Sequence, residues 1–483
     1  MRDGGIHMRK SILIIGFFLV IATVALVYAV QSLESGAIPL TIKRFIPSLD
    51  PPAVSVLPAT SESNVLFDWK LGNPYLLKGG DGNVFLDLRV TGKNQADVKR
   101  KPLNLVLVID RSGSMGSENK LEEVKNAATA IVNQMDVRDR LGIVIYDDAI
   151  QTLIPSSPVE NKERVRELIY SLTPGGSTNL FGGLLEGGRE IRKHFRPDCV
   201  NRIILLSDGL ANVGVTDPEQ IAAEARRLRA NSVSISAMGV GIDYNESLMA
   251  NIADHSGGNY YFISKEVNMA EIFRREWNLM QNMVATDAKA TMHLGNGVEV
   301  VDVAGFKWSR QGRALTIQIP DIYSGETKRV LVELRAAANA VKTIDLGQGQ
   351  FFCSEISSGK PKNIVKDFHP TIQVVEDQRL VRSNLDDEVN AKAVSNQASR
   401  SMRDAYDRWQ AGEIGQARKL ANETVDGLKA LGYTATAPQE SRYENFLKVL
   451  MDPAAEAPPP EMIKEEVKKQ KEADRQSEQN SPQ

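Results

Sequence analysis

Residues 103–115, LNLVLVIDRSGSM, constrain the fold more than any other part of the sequence. The apolar run at 105–109 is continuous rather than alternating, which is typical of a central strand in a parallel sheet covered on both faces. The run ends at Asp110, and Ser112 and Ser114 follow at alternate positions. Because sites in open α/β sheets usually lie beyond the carboxyl ends of the strands, these three side chains are candidate ligands.

The oxygen types at these positions suit a hard cation. Mg²⁺ takes oxygen ligands, prefers octahedral geometry and usually keeps several waters. One carboxylate and two hydroxyls would bind such an ion without cancelling its charge, so the ion could accept one more oxygen from outside. The same residues are equally consistent with a polar turn that caps a helix beginning near Lys120, and this stretch alone does not distinguish the two.

Two further segments carry oxygen side chains at comparable positions. Residues 174–180, PGGSTNL, form a glycine-bearing loop that places Thr178 just before a helical stretch, and residues 203–209, IILLSDG, form a buried strand that ends in Asp208. The combination of DRSGSM, GGST and LLSDG over residues 103–284 resembles the von Willebrand factor type A domain with its metal-ion-dependent adhesion site. The resemblance is specific because three separated segments agree in residue type, order and structural context.

The resemblance implies one divalent ion held by a complete set of five residues. These are Asp110, Ser112, Ser114, Thr178 and Asp208. The implied cofactor is Mg²⁺, with Mn²⁺ or Ca²⁺ as alternatives, and the implied type of protein is an exported, membrane-anchored bacterial one.

The composition of the whole chain indicates its number of domains and argues against several kinds of function. A length of 483 residues with 42% hydrophobic content suggests two or three domains. The net charge of −3, without a sustained basic and aromatic patch, gives no case for nucleic-acid binding. The two cysteines, Cys199 and Cys353, are too few for a disulfide framework and favour ordinary buried thiols. The histidines show no spacing suited to zinc.

The amino terminus predicts export. Three basic residues precede an uncharged apolar run at 12–30 that is long enough to span a bilayer. This charge distribution favours keeping the amino terminus in the cytoplasm and exporting the rest. A small-residue cleavage site at 27–29, with Met8 as the start, would instead make the segment a removed signal. We expect a membrane-anchored protein whose bulk is periplasmic or extracellular, or a secreted one if the segment is cleaved.

The pattern of predicted strands, helices and polar stretches divides the rest of the chain into segments. Alternating strands and helices predict a doubly wound, mostly parallel six-stranded sheet, flanked by an antiparallel β-sandwich that the α/β domain interrupts. Helical periodicity follows, and then a polar tail whose composition predicts disorder. The predicted segments are an anchor or signal (1–31), a Pro-rich tether (32–63), sandwich strands (64–98), the α/β domain (99–285), the remaining sandwich (286–380), a helical hairpin (381–451) and the tail (452–483).

Three functions are compatible with such a site. The favoured one is a metal-dependent adhesion or assembly module outside the cytoplasmic membrane, in which an Asp or Glu of an unidentified protein partner completes the ion's coordination. The first alternative is an envelope scaffold in which the metal is only structural. The second is a Mg²⁺-dependent phosphotransferase resembling haloacid dehalogenases, which have a second acid two residues after the nucleophilic Asp. Ser112 stands at that position and is no general acid, so we predict a protein without enzymatic activity.

Overall fold

The computed structural model describes residues 63–94, 100–264, 269–356, 362–451 and 460–479. The predicted anchor or signal at 1–31 and the tether at 32–63 lie outside these residues, except for Ser63. Within the described ranges, no helix is long and apolar enough to cross a membrane. The described chain begins with three strands, β1 (Val65–Leu71), β2 (Tyr75–Leu77) and β3 (Asn83–Gly92).

An α/β domain follows, with strands and helices alternating as the sequence predicts. Its elements are β4 (Leu103–Asp110), α1 (Lys120–Gln134), β5 (Arg140–Tyr146), β6 (Ile150–Pro158), α2 (Lys162–Tyr170), α3 (Leu180–Lys193), β7 (Val200–Ser207), α4 (Pro218–Arg229), β8 (Ser234–Val240), α5 (Glu246–Ser256), β9 (Tyr260–Ile263) and α6 (Met269–Gln281). The strand order is β6-β5-β4-β7-β8-β9, and only the β5–β6 pair is antiparallel. The predicted six-stranded, mostly parallel sheet is therefore confirmed.

The central strand β4 explains why its sequence is apolar at every position. Leu105, Leu107 and Ile109 pack into a cluster with α1 and α6 on one face of the sheet. Val106 and Val108 pack into a second cluster with α3 and α4 on the other face. Each fully buried side chain of this kind contributes about 1.5–3 kcal/mol. The carboxyl end of β4 is therefore held from both sides.

A mostly antiparallel sandwich surrounds the α/β domain in sequence. Its later strands are β10 (Met283–Leu294), β11 (Val298–Val303), β12 (Trp308–Gln311), β13 (Ala314–Gln318), β14 (Ile322–Tyr323), β15 (Thr327–Ala336), β16 (Thr343–Asp345), β17 (Gly347–Glu355), β18 (Lys362–Phe368) and β19 (Thr371–Val375). The main sheets have the orders β1-β3-β15-β11 and β12-β13-β10-β17-β18. In the small third sheet, β16-β19-β2, the strands β2 and β19 pair in parallel. Because β3 pairs with β15 along its whole length, the α/β domain is an insertion into the sandwich.

Five of the later sandwich strands, β12, β14, β16, β17 and β18, were not predicted from the sequence. Strand β17 contains Gly347 and Gly349, and glycine weakens a strand pattern because it has no side chain to pack. The reason for Gly349 is local: a Cβ there would stand 2.1 Å from the Phe368 ring on β18. Cys353 on β17 and Cys199 in the α/β domain are both free, buried thiols.

The remaining described residues form helices. These are α7 (Gln378–Ser383), α8 (Asp387–Gln410), α9 (Ile414–Leu431), α10 (Ala437–Met451) and α11 (Pro460–Gln479). The segment predicted as a helical hairpin, 381–451, contains α8 and α9 with Gly412 at their turn, and a third helix, α10, follows the left-handed Gly432 that ends α9.

The predicted disorder of the tail at 452–483 is wrong for residues 460–479, which form α11. The tail is poor in apolar residues, but charged side chains stabilise the helix instead, as in the pair of Glu465 and Lys469 four residues apart. In addition, Val467 is fully buried against the other helices. Composition alone did not reveal this docking.

The helix α3 packs against the sheet through a glycine. A Cβ on Gly183 would stand 2.6 Å from the Tyr146 ring. We predict that Gly183→Ala lowers the free energy of unfolding, measured by urea denaturation, by about 1–3 kcal/mol through overpacking. The matched change Gly427→Ala in α9, where a Cβ meets nothing within 4 Å, should raise it by about 0.4–1 kcal/mol. Equal effects of the two substitutions would contradict this packing.

Candidate metal site

The candidate site lies beyond the carboxyl ends of β4 and β7. Asp110 is the last residue of β4 and is fully buried. Its Oδ1 accepts a hydrogen bond from the Ser112 backbone N–H at 2.8 Å, and its Oδ2 accepts one from Ser207 Oγ at 2.8 Å. Burial raises the pKa of Asp110 to about 6, against the opposing effect of these hydrogen bonds. Burial therefore disfavours the ionised form of the Asp110 carboxyl unless a cation lies beside it.

The two serines after β4 connect Asp110 to the end of β7. Ser112 precedes a 3₁₀ turn, Gly113–Asn119, which contains Ser114. The two hydroxyl oxygens are 3.2 Å apart, and Ser114 Oγ donates to Asp208 Oδ1 at 2.7 Å. Asp208 directly follows β7 and is fully buried. A continuous chain of oxygen atoms thus runs between the ends of two adjacent strands.

The glycine-bearing loop before α3 is fixed against this chain. The Gly175 N–H donates to the Arg111 carbonyl at 2.8 Å, and the Gly113 N–H donates to the Gly176 carbonyl at 3.1 Å. Gly176 has φ +69°, and a Cβ there would stand 2.0 Å from Asp148 Oδ1, so only glycine fits. The loop therefore packs tightly against the turn that follows β4.

Thr178, at the end of that loop, faces the same space as the serines. Its N–H donates to Asn212 Oδ1 at 2.8 Å, and its carbonyl accepts from the Asn212 N–H at 3.1 Å. A Cβ added to Gly209 would lie 3.2 Å from Thr178 Oγ1 and 3.7 Å from Ser114 Oγ, so both hydroxyl oxygens border the same space. The structure thus brings the predicted site residues together at one edge of the sheet.

Three neighbours of the site were not found from the sequence: Lys120, Ser207 and Asn212. Lys120, the first residue of α1, places its Nζ 2.8 Å from Asp208 Oδ2, and its side chain is only 10% exposed. No motif identified this lysine, because its partner is distant in sequence. Ser207 did leave a signal, since it is a polar residue at the end of an otherwise apolar run.

The side chains of the candidate site are oxygen donors. Within the part of the chain that the structure describes, no group of three or more His, Cys, Asp and Glu could hold a metal. The site instead combines two carboxylates with three hydroxyls, which are the hard oxygen donors that Mg²⁺ prefers. Because the Lys120 ammonium offsets Asp208, a bound divalent ion would retain net positive charge. The residues therefore fit such an ion.

The α/β domain is similar in sequence to known proteins. The model of the von Willebrand factor type A domain family matches residues 104–275. Protein YfbK of Escherichia coli is 33% identical over 208 residues, which cover 43% of this chain and 36% of YfbK. The human inter-alpha-trypsin inhibitor heavy chain H3 is 32% identical over 166 residues, which cover 32% of this chain and 18% of that protein. The matches thus span about a third of YfbK and less than a fifth of the heavy chain.

A solved structure resembles a larger part of the chain. The von Willebrand factor type A protein from Catenulispora acidiphila superposes with a TM-score of 0.67, covering 88% of this chain and 99% of that one at 16% identity. At this identity the likeness establishes a shared fold. Domains of the matched family are generally protein-interaction or adhesion modules and commonly bind a divalent metal. Residues 104–275 of this chain match the von Willebrand factor type A family and have a fold of that type.

Proposed function

We propose that this protein is a divalent-ion-dependent protein-binding module. Asp110, Ser112, Ser114, Thr178 and Asp208 would hold one ion, with Mg²⁺ the first choice and Mn²⁺ or Ca²⁺ the alternatives. The ion would supply an open, positively charged coordination position. A carboxylate from an Asp or Glu of a protein partner would complete that position.

The observation that carries the proposal is the charge balance of the cluster. Two of the five proposed ligands, Asp110 and Asp208, are carboxylates, and the Lys120 ammonium lies 2.8 Å from Asp208. Ser112, Ser114 and Thr178 contribute neutral oxygens. A divalent ion in this setting keeps its attraction for an external anion, whereas an ion surrounded by three or four carboxylates would not.

The location of the module is a second part of the proposal. The basic residues before the apolar run at 12–30 favour export of everything that follows. The ion would then face the periplasm or the exterior, and the partner would be a protein of that compartment. Membrane attachment through residues 1–31, or secretion after cleavage, is testable by fractionating cells that express the full chain.

A retention experiment tests the function. The full chain would be immobilised and exposed to an envelope-protein extract in Mg²⁺ or in EDTA. We expect a set of proteins to be retained in Mg²⁺ and released by EDTA, because the partner carboxylate binds through the ion. The Asp110→Ala chain should retain none of this set.

The matched control is Asp426→Ala, which removes an exposed aspartate from α9 and should behave as the unmodified chain. If the same proteins remain bound in EDTA and to Asp110→Ala, the metal is not the binding group. The scaffold role would then replace the proposed one.

A further inference from the structure

Helix α11 covers an edge of the α/β domain with charged side chains. Strand β9 is the last strand of its sheet, so no strand among the described residues pairs with its outer side. The Phe262 N–H on that side donates to Glu472 Oε2 of α11 at 3.3 Å. An edge strand covered in this way cannot pair with another strand.

The surface under α11 combines acids and aromatic rings. We call it the α11 face, and it consists of Asp243, Tyr244, Asp254, Tyr260 and Phe262. The Lys468 Nζ of α11 lies 3.5 Å from the Tyr244 ring centroid and donates to the Tyr244 carbonyl at 3.1 Å.

Two more cations of α11 meet acids of the α11 face. Lys464 lies 3.9 Å from Asp243. Arg475 pairs with Asp254, and its guanidinium carbon is 5.5 Å from the Tyr260 ring centroid. Positions 464, 468, 472 and 475 recur at helical spacing, so these contacts come from one side of α11.

The other side of α11 faces the helices α8 and α10, and it is also mostly polar. Asp474 pairs with Arg442 and accepts a hydrogen bond from the Tyr443 hydroxyl at 2.6 Å, and Glu478 pairs with Arg403 at 2.7 Å. Val467 is the one apolar residue of α11 that is buried among the described residues.

The docking of α11 also carries opposing costs. Asp474 Oδ2, Gln470 Oε1 and Arg442 Nε are buried without a hydrogen-bond partner among the described residues. Burial raises the pKa of both Glu472 and Asp474 to about 7, because it disfavours their charged forms. Because α11 buries Val467 fully and Ile463 only partly, and these costs oppose its ion pairs, less apolar packing holds α11 than holds a core helix.

We propose that the α11 face is a docking surface for a cation-bearing helix of another protein, and that α11 is its displaceable occupant within this chain. The helix that fits presents Lys or Arg at the positions of Lys464, Lys468 and Arg475, with an acid at the position of Glu472. This surface requires no ion and is separate from the function proposed above. Strand β9 lies two strands from β7, which is about 10 Å at ordinary strand spacing, so a partner at the ion site could reach α11.

The test uses a fluorescent peptide of residues 460–479 as the added helix. Its binding would be measured by anisotropy against two full-length chains, the unmodified one and one carrying Lys468→Glu and Arg475→Glu to release its own α11. We expect the charge-reversed chain to bind the peptide at least tenfold more tightly than the unmodified chain. A peptide with the same two reversals should not bind, and 0.5 M NaCl should weaken the binding. The control chain carries Lys419→Glu and Lys448→Glu on exposed helical positions and should match the unmodified chain.

A second measurement keeps the proposal testable if the charge-reversed chain fails to fold. Hydrogen exchange of the Phe262 amide in the unmodified chain should accelerate in 0.5 M NaCl, while that of the Met238 amide inside the sheet should not. Equal peptide binding by both chains, or binding by neither, would overturn the proposal. A Phe262 amide whose exchange does not respond to salt would overturn it as well.

Discussion

Replacing Asp110 with alanine is expected to weaken Mg²⁺ binding by more than about 100-fold, because residues that merely hydrogen-bond to metal ligands already contribute about 10- to 100-fold. Asp110 supplies a buried carboxylate that is oriented by the Ser112 N–H and by Ser207 Oγ, each at 2.8 Å. Isothermal titration of the full chain and of the variant with MgCl₂ and MnCl₂ measures the difference.

A graded control accompanies this prediction. Ser207→Ala leaves all five predicted ligands in place but removes one hydrogen bond to Asp110, so the ion affinity should fall by about 10- to 100-fold. The metal-free Asp110→Ala chain should keep the unfolding temperature of the unmodified chain, because removing a costly buried charge offsets the lost hydrogen bonds. Unchanged ion binding by a folded Asp110→Ala chain would remove Asp110 from the site.

Replacing Asp321 with alanine is expected to lower the free energy of unfolding by about 3–5 kcal/mol, the usual cost of breaking a buried ion pair. Asp321 joins the sandwich to the α/β domain and is fully buried. Its carboxylate lies 3.2 Å from Arg202 and 2.5 Å from Arg229, and Ser234 Oγ donates to it at 2.6 Å. The substitution would leave two guanidinium groups buried without this counter-ion.

Urea denaturation of the two chains measures the loss. The matched control is Asp68→Ala on the exposed side of β1, whose effect should stay within about 0.5 kcal/mol. A loss below about 1 kcal/mol for Asp321→Ala would mean that this buried network contributes little to joining the two domains.

The site could be predicted from the sequence where its residues follow a strand directly. Asp110 and Asp208 each end an apolar run, so their positions at one sheet edge follow from the parallel topology. Lys120 could not be found this way, because its ion pair with Asp208 depends on how α1 begins after the 3₁₀ turn. Whether the five residues bind an ion stays a prediction until it is measured.

The fold was predictable where the pattern is periodic and strongly apolar. The six-stranded sheet met this condition, and so did the hairpin of α8 and α9. Strand β17 did not meet this condition, because Gly347 and Gly349 interrupt its apolar pattern. Both positions require glycine because neighbouring atoms lie too close for a Cβ. Helix α11 was missed for a different reason: its stability depends on charges of distant partners such as Asp254 and Arg442, which composition does not report.

The central claim is that an ion at this site offers an open position to a carboxylate, and bound Mn²⁺ can report on it directly. Water-proton relaxation would be measured with Mn²⁺ bound to the full chain while N-acetyl-aspartate amide is added, with N-acetyl-asparagine amide as the control. We predict that the aspartate compound displaces water from the bound Mn²⁺ and lowers the relaxation enhancement, while the asparagine compound does not. Identical responses to the two compounds, or an equal response in Asp110→Ala, would contradict the account.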